Sequence, residues 1–94
     1  MILAIRWTLD ALDDLDQLTD YIAEHNPRAA MSMFETIENA VMPVSITPFL
    51  FRSGREPGTR EIVAHPNYIV VYRVMDEWIE IVNVLHARQR YPFD

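Results

Sequence analysis

The order of apolar patterns predicts an α+β domain: a strand, two helices, a loop and three strands (βααβββ). The helical hairpin then packs on one face of a small, mainly antiparallel sheet. Three observations lead there. A helical stripe spans residues 11–22, a second begins at a proline, and β-branched runs with strand periodicity fill residues 60–85.

Ile2 to Trp7 reads as a short strand, with Leu3, Ile5 and Trp7 on one face and Ile2, Ala4 and Arg6 on the other. Thr8 is placed to cap the first helix, and Asp10, Asp13 and Asp14 favour the positive end of its dipole. Ala11, Leu15, Leu18 and Ile22 form its apolar stripe, and the helix should end near His25. Asn26-Pro27 stops that helix and starts the next, with Asn26 as cap and Pro27 in the first turn. Ala30, Met33, Phe34, Ile37, Val41 and Val44 make the second stripe, which Pro43 should kink or weaken.

Residues 49–59 read as a loop, with both glycines of the chain, Gly54 and Gly58, and Pro57. Arg60 to Ala64 is a short strand, His65-Pro66-Asn67 a turn, and Tyr68 to Met75 a strong strand. Asp76-Glu77 connects it to Trp78–Leu85, with Ile79, Ile81 and Leu85 expected on one face and Trp78, Val82 and Val84 on the other. Pro92 keeps a regular strand out of the tail. The sheet face away from the helices would be open to a partner or substrate.

The 94 residues suit one domain spanning 1–94. There is no cysteine, which excludes a disulfide scaffold, a thiolate zinc site and a cysteine nucleophile. The three histidines lack metal-ligand spacing, and no glycine-rich phosphate loop precedes a helix, so no metal and no cofactor is expected. No apolar run reaches the ~20 residues of a membrane helix, and no signal peptide opens the chain; a cytoplasmic location is expected.

The formal net charge is −6, and all eight bases are arginine. Residues 1–47 hold eight acids and two arginines, whereas residues 48–94 hold six of each. An acidic chain is a poor sequence-independent nucleic-acid binder. The arginines of the second half still suit a local anion- or protein-binding face, because a guanidinium offers a bidentate fork. Arg60, Arg73, Arg88 and Arg90 would matter most if they converge at one sheet end; otherwise they pair with Glu56, Glu61, Glu77 and Glu80. His86, Arg88 and Tyr91 are a second candidate group, with residue types able to move a proton, hold a phosphorane and stack on a base. Their alternative is a solvated tail whose aromatic members pack on the sheet. The acidic face of the first helix reads as solvated surface or as a docking face for a basic segment.

Across nearly its whole length the chain resembles toxins of the RelE/ParE superfamily, from bacterial type II toxin–antitoxin modules. The resemblance is carried by the strand ending at Trp7, Ala11-Leu12-Asp13-Asp14-Leu15, and the turn from Tyr21-Ile22-Ala23 to Asn26-Pro27-Arg28-Ala29-Ala30. It continues in Gly54-Arg55, Gly58-Thr59-Arg60-Glu61, Tyr68 to Val74 and Val84 to Pro92. The ending Leu85-His86-Ala87-Arg88-Gln89 looks more like ParE-type members. The resemblance implies inhibition of DNA gyrase, growth arrest and a role in plasmid or chromosome maintenance. Arg60, Arg73, His86, Arg88, Arg90 and Tyr91 would then be contact residues. The alternative it implies is a RelE-like, ribosome-dependent mRNA endonuclease. His86 or Tyr91 would be its acid/base, with Arg60, Arg73 and Arg88 on phosphate, although such cleavers generally use a cluster of lysines and arginines on the sheet and this chain has no lysine. The resemblance also implies a cognate antitoxin covering a sheet edge and the helical grooves near Leu18, Ile22, Met33 and Phe34. A homodimer without antitoxin is compatible with it.

Overall fold

The computed structural model describes residues 2–91. Thr8 caps the first helix as its position suggests: its hydroxyl accepts from the Ala11 N–H at 3.1 Å. Strand β1 (Ala4–Trp7) therefore runs straight into helix α1 (Leu9–Ala23). The Asn26 side chain accepts from the Ala29 N–H at 3.0 Å, and Pro27 opens helix α2 (Pro27–Val41). Pro43 does not kink α2. The helix stops at Val41 and tightens into a 3₁₀ turn, Met42–Ser45, where a missing backbone donor costs nothing.

Strands β2 (Arg52–Ser53), β3 (Arg60–His65), β4 (Tyr68–Val74) and β5 (Trp78–His86) follow. The sheet order is β1-β5-β4-β3-β2; β1 pairs parallel with β5 and every other pair is antiparallel. Strand β2, within the expected loop, is an addition to the sequence reading. It exists through its pairing with β3, Arg52 opposite Glu61 and Ser53 opposite Arg60.

The helices cover one sheet face. Ala11, Leu15, Ile37, Val41 and Val44 meet Ile62, Val70, Tyr72, Ile79, Ile81 and Val84 in one buried cluster. Burying an aliphatic side chain of this size contributes about 2 kcal/mol. The expected faces of the last strand need correcting. Val71 lies opposite Asn83 but Tyr72 opposite Ile81, so Val82 is an extra residue in β5. That β-bulge breaks the period of two. Val84 joins the helical core, and Leu85 turns to the other face with Val71 and Tyr91.

Charge divides along the same layers. The segment 9–41 holds eight carboxylates and one arginine, Arg28. Among the described residues, no helix is long and apolar enough to cross a membrane. Pro92 lies outside the described residues.

Candidate functional site

The sheet face turned away from the helices is not bare. Strand parity brings Glu61, Val71, Arg73 and Leu85 to it, opposite to Ile62, Val70 and Tyr72 of the helical core. Glu61 is buried there, 3% exposed, because three donors come to it. Arg52 Nη2 donates to its carboxylate at 3.0 Å, the Arg55 N–H donates at 3.0 Å, and Arg55 Nε lies 3.3 Å away. Both guanidiniums keep substantial contact with water, so the pairing orients the loop more than it stabilises the fold.

The loop between β2 and β3 is shaped to make this possible. The Gly54 N–H donates to the Thr59 carbonyl at 2.7 Å, and any side chain at Gly54 would collide with the Thr59 hydroxyl. Gly58 sits at φ +80°, a conformation that favours glycine. The result places Glu56 beside Tyr91.

The tail folds back through a turn after β5. The Ala87 N–H donates to the Asn67 carbonyl at 2.7 Å, and the Gln89 N–H to the His86 carbonyl at 2.9 Å. The Gln89 side chain accepts from the His86 N–H at 3.2 Å, and Arg55 Nη1 donates to the Gln89 carbonyl at 3.4 Å. Tyr91 then lies on Val71 and Leu85, 8% exposed. Its hydroxyl is 3.4 Å from both Glu56 Oε2 and Asn83 Oδ1. Burial, first, and the neighbouring Glu56 charge push the Tyr91 phenol above its ordinary range, while Arg73 pulls the other way. It stays protonated at neutral pH, a donor rather than a base. Asn83 passes the connection on to α1: its amide donates to Asp14 at 3.0 Å, and the same carboxylate accepts from the Val84 N–H at 2.9 Å. Arg88 and Arg90 are thereby presented, exposed, from a turn held at Gln89 and at Tyr91.

The candidate arginines do not all converge. Arg60 lies opposite Tyr72, on the helical side, and its Nη1 donates to the carbonyls of Phe49 at 3.2 Å and Phe51 at 2.8 Å. Its guanidinium also covers the Phe49 ring at 5.1 Å. Arg73 is on the opposite face, level with Glu80. His86 sits at the strand end, its ring edge-on to Tyr68 at 5.6 Å, with its Nδ1 accepting from the Arg88 N–H at 3.1 Å. Of the helical candidates, Leu18 and Met33 are half-buried and packed on the core. Ile22 is half-buried, and Phe34 is 38% exposed in a shallow groove with Ala23, Ala30 and Met31. Glu56 and Glu61 entered the sequence reading only as ion-pair partners, and Asn83 only as an interruption of a strand row. A polar residue inside an apolar strand was the one local signal available for Glu61 and Asn83. Among the described residues, no group of three or more His, Asp or Glu could hold a metal ion.

Comparison with known proteins bears on the whole assembly. The family described as the ParE toxin of the type II toxin–antitoxin system parDE matches residues 5–91. Y4kP of Sinorhizobium fredii, which carries a toxin name, is 42% identical over 89 residues, covering 94% of this chain and 92% of that protein. Toxin RelE2 of Caulobacter vibrioides is 35% identical over 81 residues, covering 86% and 91%. Among solved structures, a chain of the chromosomal ParDE toxin–antitoxin system from P. aeruginosa superposes with a TM-score of 0.82 at 22% identity, covering 90% of this chain and 96% of that one. A chain of the RelBE2 complex from Mycobacterium tuberculosis has the same fold at a TM-score of 0.63 and 24% identity, covering 92% and 99%. The two-helix layer, the five-stranded sheet and a match over almost every described residue make this chain a member of the ParE toxin family of type II toxin–antitoxin systems, within the RelE/ParE superfamily.

Proposed function

We propose that the chain arrests growth in the cytoplasm by binding DNA gyrase through protein contacts, and that a cognate antitoxin encoded beside it neutralises it. The observation that carries contact over catalysis is the scatter of the residues a nuclease would need. Arg60 is spent on the Phe49 and Phe51 carbonyls on the helical side, whereas Arg73 and Tyr91 share the opposite face, where the Tyr91 hydroxyl is enclosed by Glu56 and Asn83. A phosphate-cleaving site needs such groups around one atom. A protein-binding face needs only exposed anchors on a fixed frame, which Arg88 and Arg90 supply. Arg73, His86 and Tyr91 then act as the frame and rim of that face. The net charge of −6 also favours a protein target over ribosomal RNA. On the helical layer, Phe34 and the half-buried Leu18, Ile22 and Met33 are the proposed antitoxin contacts.

Purified toxin is expected to inhibit supercoiling by purified gyrase, and added antitoxin to restore it. A supercoiling assay checks this. Full activity at saturating soluble toxin, together with mRNA cleavage on purified ribosomes, would replace this reading with the endonuclease.

A further inference from the structure

The sheet face away from the helices carries more positive charge than a net charge of −6 suggests. Arg73 lies on it by strand parity. Arg6 does too, because its neighbours Ile5 and Trp7 pack on the helical core. Arg52 stands opposite Glu61 across β2 and β3, and Arg55 reaches the same carboxylate from the loop. The tail with Arg88 and Arg90 lies over this face through Tyr91. Six of the eight arginines thus gather on one side of the molecule, and the eight carboxylates of segment 9–41 belong to the helical layer.

The carboxylates among these arginines are already engaged. Glu80 is level with Arg6 on one side and Arg73 on the other. Glu56 stands beside the Tyr91 hydroxyl. Glu61 fixes Arg52 and Arg55, although it is itself buried. The fixing is one-sided. Arg52 commits only Nη2 to Glu61 and keeps 57% of its side chain exposed, and Arg55 keeps 36% while it also holds the Gln89 carbonyl. A guanidinium oriented in advance, with donors left over, loses less freedom when a partner carboxylate arrives. The sequence singled out neither residue, because the two-residue strand that brings them here exists only in the fold.

We propose that Arg52 and Arg55, set by Glu61, are target contacts alongside Arg88 and Arg90, and that the face they form receives an acidic protein surface. The proposal rests on the reading of this chain as a gyrase inhibitor acting by contact, and it names the chemistry of the patch on gyrase. Charge complementarity selects the occupant. A protein patch confines its carboxylates to the arginine face, within the reach of charge-assisted hydrogen bonds. A duplex carries its charge on past that face and meets the negative field of the whole chain. A second copy also offers an acidic layer, but such a head-to-tail contact does not close and would grow into filaments.

Binding of purified toxin to purified gyrase, measured by surface plasmon resonance across a salt series, tests this with two variants. Arg52→Gln keeps an amide donor toward Glu61 and removes the charge, whereas Arg52→Lys keeps the charge. Arg52→Gln is expected to weaken binding about tenfold and to flatten its salt dependence, and Arg52→Lys to stay within about twofold of the unaltered toxin. Both should keep the circular dichroism spectrum and the antitoxin complex. Gyrase binding unchanged in Arg52→Gln overturns the assignment and leaves the gyrase reading standing. An equal loss in Arg52→Lys assigns the effect to the loop held at Glu61 and overturns Arg52 as a contact. Self-association of toxin alone that Arg52→Gln abolishes gives the face to a second copy and overturns the proposal. Unaltered toxin that binds a DNA duplex but not gyrase, or neither, overturns both readings.

Discussion

Tyr72→Ala is expected to remove about 4 kcal/mol of stability, the usual cost of truncating a fully buried aromatic residue. Tyr72 has no exposed surface and belongs to the cluster under both helices. Its ring stands edge-on to Phe51 at 6.3 Å, and its hydroxyl donates to the Pro48 carbonyl at 2.6 Å. It thus ties the loop before β2 to the sheet, beside the Arg60 contacts to the same loop. Domains of this size have roughly 5–15 kcal/mol in total, so the variant should lie close to unfolding at 37 °C. Urea denaturation measures the loss. Tyr72→Phe keeps the ring and isolates the hydroxyl, with a loss of about 1 kcal/mol. Burial raises the Tyr72 phenol above its ordinary value of 10.0, with Arg60 opposing in part. The neutral form is the one the folded state holds, so this contribution is complete below pH 10 and fades as pH climbs through the raised value. Tyr91 shifts in the same direction and adds to the alkaline loss. Tyr72→Phe should therefore flatten the alkaline limb of the stability curve without abolishing it. An unchanged limb would mean that the Tyr72 hydroxyl does not carry it.

The second large effect is functional. The double substitution Arg88→Ala with Arg90→Ala is expected to abolish growth arrest at equal expression. Both residues are exposed on a turn fixed by Arg55, Gln89 and the buried Tyr91, so their removal should leave the fold intact. The proposed antitoxin contacts lie on the helical layer, and of them Leu18 shares a groove with His86 and Gln89 but not with Arg88 or Arg90, so co-purification with antitoxin should persist. Losing a central arginine from a protein interface commonly costs 2 kcal/mol or more, about thirtyfold in affinity, and two such losses exceed what a toxin at modest abundance tolerates. Unaltered growth arrest in the double variant would remove the tail from the target-binding face.

These expectations draw on different depths of the sequence. The caps at Thr8 and Asn26 and the start at Pro27 are local chemistry, legible from three or four neighbouring residues, and the helices follow. The opposite orientation of Tyr72 and Arg73 follows from strand parity alone. The position of Arg60 beneath its loop does not, because it depends on the register that sets Arg60 against Tyr72. The bulge at Val82 was equally hidden: one extra residue exchanges the faces of Val84 and Leu85, and no local pattern announces it. Strand β2 owes its existence to Glu61 on a neighbouring strand, and a two-residue pattern carries no periodicity. Tyr91 was readable as an aromatic residue near a basic tail. Its role as the anchor of that tail needed Glu56, 35 positions away, and Asn83, across a turn.

The central claim is that the tail serves a replication target. Pulse-labelling with thymidine and methionine, just after this chain is induced without antitoxin, tests it most directly. Inhibition of gyrase predicts an early fall in thymidine incorporation while methionine incorporation continues. An early fall in methionine incorporation, with thymidine unaffected, would contradict the account and identify translation as the target.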